Sequence, residues 1–314
     1  MALAAALAFE ARRAGRPAGL ITVDHNLQPG SGEQAARVLA LGRQLGLDPV
    51  LAESVQVGSV QVGSAPADSG HGPEGDARAA RYGVLNALVP ANLILLGHTA
   101  DDQAETVLLG LGRGSGPRSI AGMRPVTGAY LRPLLGLRRH QTEAACAALE
   151  LPWWQDPHNS DPRYRRVRLR HEVLPLLEDV LAGGVTEALA RTAEQLRQDL
   201  DTLDELADVA LDDAGRRSAV RGGLDVAALE AERDAILTRV LKSWAEGGGA
   251  DALGAVHVEQ LRRLIRQWHG QAAIDLPGGY RAVRASGTLK LLPQHIAHST
   301  SHSIPPAEND ANWE

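Results

Sequence analysis

In residues 97–106, GHTADDQAET, a histidine, three carboxylates and an amide fill ten positions directly after the apolar run NLILLG. If a helix begins here, Asp102 and Glu105 stand three residues apart and project from one face. Such a pair suits a cation: Mg²⁺, which takes one or two carboxylates beside phosphate oxygens, or the amino group of a substrate. The same residues also suit plain helix initiation. Thr99 or Asp101 can be the N-cap, and each carboxylate of the first turn gains ~0.3–1 kcal/mol from the helix dipole. Two further groups could bind anions. Arg113, in RGSG, opens a glycine-rich turn whose N–H groups could cradle a phosphate, or which simply stops a helix. The stretch DPRYRRVRLRHE (161–172) is strongly basic. At helical spacing its Arg166 and Arg170 share a face, a grip for RNA phosphates.

Apolar periodicity supplies the elements that must position these groups. GLITVD (19–24), PVLAESVQV (49–57) and NLILLGH (92–98) are predicted strands, and 32–46, 75–89 and 101–113 are predicted helices. Strands joined by helical crossovers imply an α/β fold, a doubly wound parallel sheet covered on both faces, with ligands at the carboxyl ends of its strands. VDHNL (23–27) and GHTADDQAET both fall at such ends. Between them, residues 55–75 hold a direct VQVGS repeat and then a Gly/Ser/Pro/Asp run, and the second half of this interruption is a predicted surface loop. From about residue 185 long Leu/Ala/Glu/Arg/Asp helices follow, then a β-hairpin over 272–292 around PGGY and a polar tail that is predicted to be disordered. The expected organisation is a catalytic domain over 1–182, a mostly helical domain over 183–293, and a tail over 294–314.

Composition narrows the classes. With 314 residues, 44% hydrophobic and 22% charged, the chain is long enough for about two domains with real cores. Its one cysteine, Cys146, excludes an internal disulfide framework or a multi-cysteine metal site within one chain, and its helical context reads as a small buried residue. No run approaches the ~20 apolar residues of a membrane span, and the N-terminus does not have the order of a secretory signal, so a cytoplasmic protein is expected. A formal charge of −6 argues against a generally basic nucleic-acid binder and leaves 161–172 as a local patch.

The ordered series VDHNL, EGDARAARY, GHTADDQAETVLLGLGRGSG, LRPLL and WWQDPHNSDPRYRRVRLRHEVLPLLE resembles the tRNA(Ile)-lysidine synthetases of the PP-loop ATP pyrophosphatase superfamily. The resemblance runs from about residue 3 to 180 and, more loosely, through the helical region and the LPGG hairpin. It implies an adenine nucleotide α hydrolase-like fold and an ATP- and Mg²⁺-dependent ligase. That enzyme adenylates the C2 oxygen of the wobble cytidine in the CAU anticodon of tRNA(Ile) and displaces AMP with the ε-amine of free lysine. Carried over residue by residue, Asp102, Glu105 and Arg170 are catalytic and, with Arg78, hold the lysine; Arg81 is the helix neighbour of Arg78. Asp24, His25, His98 and Arg113 lie on the ATP side, and Arg163, Arg165, Arg166 and Arg168 on the tRNA side. Arg132 is positional as much as functional, and Asp156 and Asn159 match a DxxN motif. Arg262, Arg263, Arg266 and Lys290 are expected as scattered phosphate contacts, and a homodimer is possible.

Two departures stand out. Val167 takes the place of an asparagine in the family's basic run. The Ser-Gly-Gly-x-Asp-Ser loop that wraps pyrophosphate does not occur in these 314 residues, and MALAAALAFEA resembles the helix that follows it. The chain as written is therefore expected to bind ATP poorly, with a weakened fragment or a tRNA-binding pseudoenzyme as the alternative. A tRNA thiolation enzyme fits less well with one cysteine.

Overall fold

The computed structural model describes residues 1–24, 30–55, 72–89, 92–114, 116–154 and 161–294, without the side chains of 72–77. His25, Asp156 and Asn159, most of the 55–75 loop and the tail from 295 lie outside the described residues. The chain divides into two compact units, 1–197 and 198–314, at a point inside a long helix rather than at residue 182.

In the first unit, α1 (Ala2–Ala14) ends at Gly15, whose φ of 62° lets its N–H and that of Arg16 turn back onto the last helical carbonyls. Strand β1 (Leu20–Asp24), helix α2 (Ser31–Gln44) and strand β2 (Val50–Ser54) form a βαβ unit, parallel from Leu20↔Val50 to Asp24↔Ser54. Gly42 brings α2 close to this pair: a Cβ there would stand 3.1 Å from Val50 Cγ1. The pair is half-buried on β1 and mostly exposed on β2, so the described strands are less enclosed than the predicted sheet.

Helix α3 (Gly72–Leu88) leads to β3 (Ile94–Leu95), α4 (Ala100–Arg113), the short α5 (Pro117–Ile120), β4 (Val126–Thr127) and β5 (Tyr130–Leu131). The order of this sheet is β3-β5-β4, with β3 parallel and β4 antiparallel to β5. The strand predicted over 92–98 is short because its partner is: after Leu96 N–H bonds Leu131 O there is no further ladder. Helix α6 (Arg139–Ala148) follows, then α7 (Arg165–Arg168), a π-helical turn (Leu169–Val173) and α8 (Leu174–Val180). Pro175 explains the widened turn. It has no N–H for an α-helical bond and its ring crowds the carbonyl four residues back.

The 33-residue helix α9 (Val185–Arg217) opens the second half. Beyond it come β6 (Leu224–Asp225), α10 (Val226–Ala231), α11 (Asp234–Gly247), α12 (Ala255–Arg266), β7 (Ile274–Leu276), β8 (Tyr280–Ala285) and β9 (Thr288–Pro293). The predicted hairpin is part of a four-stranded antiparallel sheet, β6-β9-β8-β7. Leu229, Leu237, Leu241, Leu261 and Leu289 are fully buried in the core beneath it. Among the described residues no helix is long and apolar enough to cross a membrane.

Candidate active site

Helix α4 starts at Thr99, one of the two N-caps expected. The backbone N–H and Oγ1 of Thr99 both donate to Asp102 Oδ2, at 2.7 and 2.9 Å. The cap therefore occupies one carboxylate oxygen of the candidate acid. The other, Oδ1, receives Arg139 Nη2 at 2.8 Å and Arg170 Nη2 at 3.5 Å. One turn on, Glu105 is completely buried, with Arg170 Nε donating to Oε1 at 2.7 Å. Its Oε2 accepts no hydrogen bond among the described residues and stands 3.8 Å from Arg166 Nη1. Five charged side chains from α4, α6, α7 and the π turn thus meet here, the carboxylates of Asp102 and Glu105 and the guanidinium groups of Arg139, Arg166 and Arg170. A buried charge persists only when it is paired in this way.

The electrostatics follow from burial. Desolvation pushes the Glu105 carboxyl above its ordinary 4.5, with Arg170 pulling the other way. Desolvation also lowers His98 to about 4, against the attraction of Asp102, so its imidazole is neutral at neutral pH. His98 Nδ1 is buried and has no hydrogen-bond partner among the described residues. As a neutral ring it can donate or accept, but it is not a cationic clamp for phosphate.

A cavity of about 340 Å³ adjoins this cluster, lined by Arg139, Thr142, Glu143, Arg170, His171 and the exposed Trp153 and Trp154, among others. Arg166 and Arg170 do share a face, but what they share is Glu105 rather than an open surface. Arg163 and Arg168 are exposed and paired with Asp161 and Glu172, and Arg165 is exposed. Val167 is buried, so the position that departs from the family pattern points into the core.

The other expected residues are more scattered. Arg78 is exposed, with its guanidinium 4.9 Å from the Tyr82 ring centroid and donating to Tyr82 Oη at 3.4 Å. It makes no hydrogen bond or ion pair to Asp102 or Glu105. Asp24 is the last residue of β1, and Arg113 closes α4 before the left-handed Gly114. Arg132 is buried and holds the β4–β5 hairpin through Arg124 O and Thr127 Oγ1. In the second unit Arg262, Arg263 and Arg266 are tied to Glu259 and Asp234, and Lys290 is half-buried. Arg139, which sequence reasoning missed, carries no motif of its own; its role appears only once α6 is folded against α4.

A model described as the PP-loop domain matches residues 1–177, and one described as the TilS substrate binding domain matches 224–289. The tRNA(Ile)-lysidine synthase of Streptomyces coelicolor is 52% identical over 297 residues, covering 92% of this chain and 81% of the relative. The chain belongs to the tRNA(Ile)-lysidine synthase family. The Thermobifida fusca synthase is 49% identical over 294 residues, 92% of this chain and 87% of its own. A solved structure, the U34-tRNA thiolase NcsA of Methanococcus maripaludis, matches at TM-score 0.45 and 15% identity over 62% of this chain and 69% of that one. As a member of the PP-loop ATP-using family, the chain has the α/β nucleotide-hydrolase-like fold and is a C–N bond-forming ligase of tRNA modification.

Proposed function

We propose that this protein ligates free L-lysine to C2 of the wobble cytidine in the CAU anticodon of tRNA(Ile), at the expense of ATP. The observation that carries the reading is the convergence of Asp102, Glu105 and Arg170 in one buried charge cluster beside a cavity. In the first step the C2 oxygen attacks the α-phosphorus of ATP and pyrophosphate leaves. In the second the lysine ε-nitrogen attacks C2, and AMP departs with the original oxygen.

The protein must hold an ammonium, strip its proton and keep water away. Glu105 Oε2, buried and without a hydrogen bond among the described residues, is the acceptor to which the ammonium adds while Arg170 keeps Oε1. Arg166, at 3.8 Å, is the group that gives way. Burial raises the basicity of Glu105 and so suits it to take the proton from an amine whose ordinary pKa is ~10.4. Asp102, fixed by Thr99 and Arg139, is the second carboxylate of the pocket.

Mg²⁺ does not fit this pair, because each carboxylate already faces guanidinium groups and no metal-holding group of His, Cys, Asp and Glu occurs among the described residues. The ion would arrive on the ATP phosphates, where it neutralises charge. Asp24, His25, His98 and Arg113 are proposed on the nucleotide side, His98 as a neutral hydrogen-bonding group. Arg78 is proposed to swing from Tyr82 to the lysine, and Arg163, Arg165, Arg166 and Arg168 to meet the tRNA backbone.

The test is incorporation of labelled lysine by this 314-residue protein. ATP-dependent labelling of a tRNA(Ile) transcript with a CAU anticodon, and not of one with UAU, is the expected result. Tight binding of the transcript with no lysine incorporated would replace this reading with that of a tRNA-binding protein without catalysis.

A further inference from the structure

The aspartate next to Asp102 has a separate set of partners. Asp101 Oδ2 accepts the backbone N–H of Arg139 at 2.7 Å, and Oδ1 accepts Arg138 Nε at 3.2 Å. Arg138 Nη1 continues to Glu187 at 2.6 Å, and Ala100 N–H bonds Leu137 O at 2.8 Å. The first turn of α4 is therefore stitched to the start of α6 by main-chain and side-chain bonds together. Asp102 Oδ1 then receives the guanidinium of that same Arg139, at 2.8 Å. Two consecutive aspartates hold the two ends of one arginine, Asp101 the main chain and Asp102 the side chain.

We propose that Asp101 is a positioning residue for the carboxylate pocket and that Arg139, placed by it, is the second guanidinium of that pocket beside Arg170. The chemistry requires such a device. Asp102 Oδ2 is committed to the helix cap, so the direction of the carboxylate's other oxygen depends on what binds Oδ1. Arg139 is the nearer of its two partners, 2.8 against 3.5 Å. With Arg139 in place, Arg170 stays on Glu105. Without it, Arg170 is drawn toward Asp102 and the spacing of the two carboxylates that receive the amine is lost. Burial alone would raise the carboxyl of Asp101, yet the Arg139 N–H and the Arg138 guanidinium hold it below its ordinary 3.8, which keeps the clamp charged.

The inference rests on the lysine-ligase reading, and its test separates the two. If the wild-type protein incorporates no lysine, the ligase reading fails, and the unfolding arm below still tests the clamp. With an active wild type, Asp101→Asn and Arg139→Ala each raise the KM for lysine about tenfold, and the KM for ATP moves less than about twofold. The double variant is no worse than Arg139→Ala alone, because Asp101 acts through Arg139. Arg139→Lys recovers part of the loss.

Urea unfolding behaves differently. Arg139→Ala keeps the backbone N–H that Asp101 binds, so Asp101→Asn still lowers the midpoint further in the Arg139→Ala background. Additive losses in lysine KM, a parallel rise in ATP KM, or an unchanged lysine KM would each overturn the proposal. So would an unfolding midpoint that Asp101→Asn leaves unmoved in the Arg139→Ala background.

Discussion

Among the described residues, the cluster of buried residues beneath the 224–293 sheet has nineteen members, all apolar and including seven fully buried leucines, whereas the corresponding cluster in residues 1–197 has three, Leu41, Cys146 and Leu151. In the first unit the largest fully buried side chains include Gln103 and Glu105 instead. The difference lies in what each unit asks of its interior. Apolar burial stabilises by roughly 25 cal/mol per Å² and makes few geometric demands. A buried carboxylate stabilises little but fixes directions, because every lone pair must find a partner. The second unit is thus held by area and the first, around its site, by pairing.

That contrast can be broken experimentally, and the most severe break is in the site. Arg170→Ala leaves Glu105 buried without its 2.7 Å partner and is expected to cost about 3–5 kcal/mol in unfolding free energy as well as all lysine incorporation. Replacing both Arg170 and Glu105 by methionine should restore most of the stability and none of the activity. If Arg170→Ala unfolds like the wild type, pairing does not hold the first unit.

Next is Leu261→Ala in the second unit, fully buried on α12, with an expected loss of about 2–5 kcal/mol from lost contacts and the cavity left behind. Calorimetry reads the loss, and lysine KM below the transition should not move. A shift in KM would mean that the apolar unit also tunes the pocket.

A smaller effect should appear in acid. Asp101 is held below 3.8, so its stabilising contribution is complete above that value and drains as pH falls through the lower folded value. Urea titrations from about pH 5 downward should show the wild type losing this margin while Asp101→Asn does not. A constant difference between the two proteins across that range would remove Asp101 from the pairing account. The smallest effect on stability is expected for Arg168→Ala, whose partner Glu172 is also solvent-exposed. Its melting temperature should be that of the wild type, while tRNA affinity falls and its salt dependence loses about one phosphate contact.

Much of this division was legible in the sequence. The spacing in GHTADDQAET placed Asp102 and Glu105 on one face and offered Thr99 as a cap, and the structure has both features. Helical spacing also put Arg166 and Arg170 together. It could not say that they turn inward to Glu105, because pattern gives a face and not the partner that covers it. The Asp101–Arg139 bond spans 38 residues and ends on a backbone N–H, a group that leaves no mark in residue types. Strand 92–98 was over-read because ladder length is set by a two-residue partner, and of its apolar run Ile94 is buried while Leu93 is exposed. The pairing of β6 with β9 escaped notice because two residues carry no alternation.

The π-helical turn at Leu169–Val173 has one more consequence, best put in terms of counting. In an α-helix each residue advances the side chain by about 100° around the axis, so one residue more or fewer redirects everything beyond it. A π turn absorbs one surplus residue without ending the helix. Arg170 lies within that turn, and Arg166 lies before it, so the two guanidinium groups reach Glu105 across a local change of gauge. The segment should therefore accept substitutions at its exposed positions far more readily than the loss of a single residue. Deleting one would return the turn to α-helical pitch and swing either Arg170 or the whole of α8 out of register with α4.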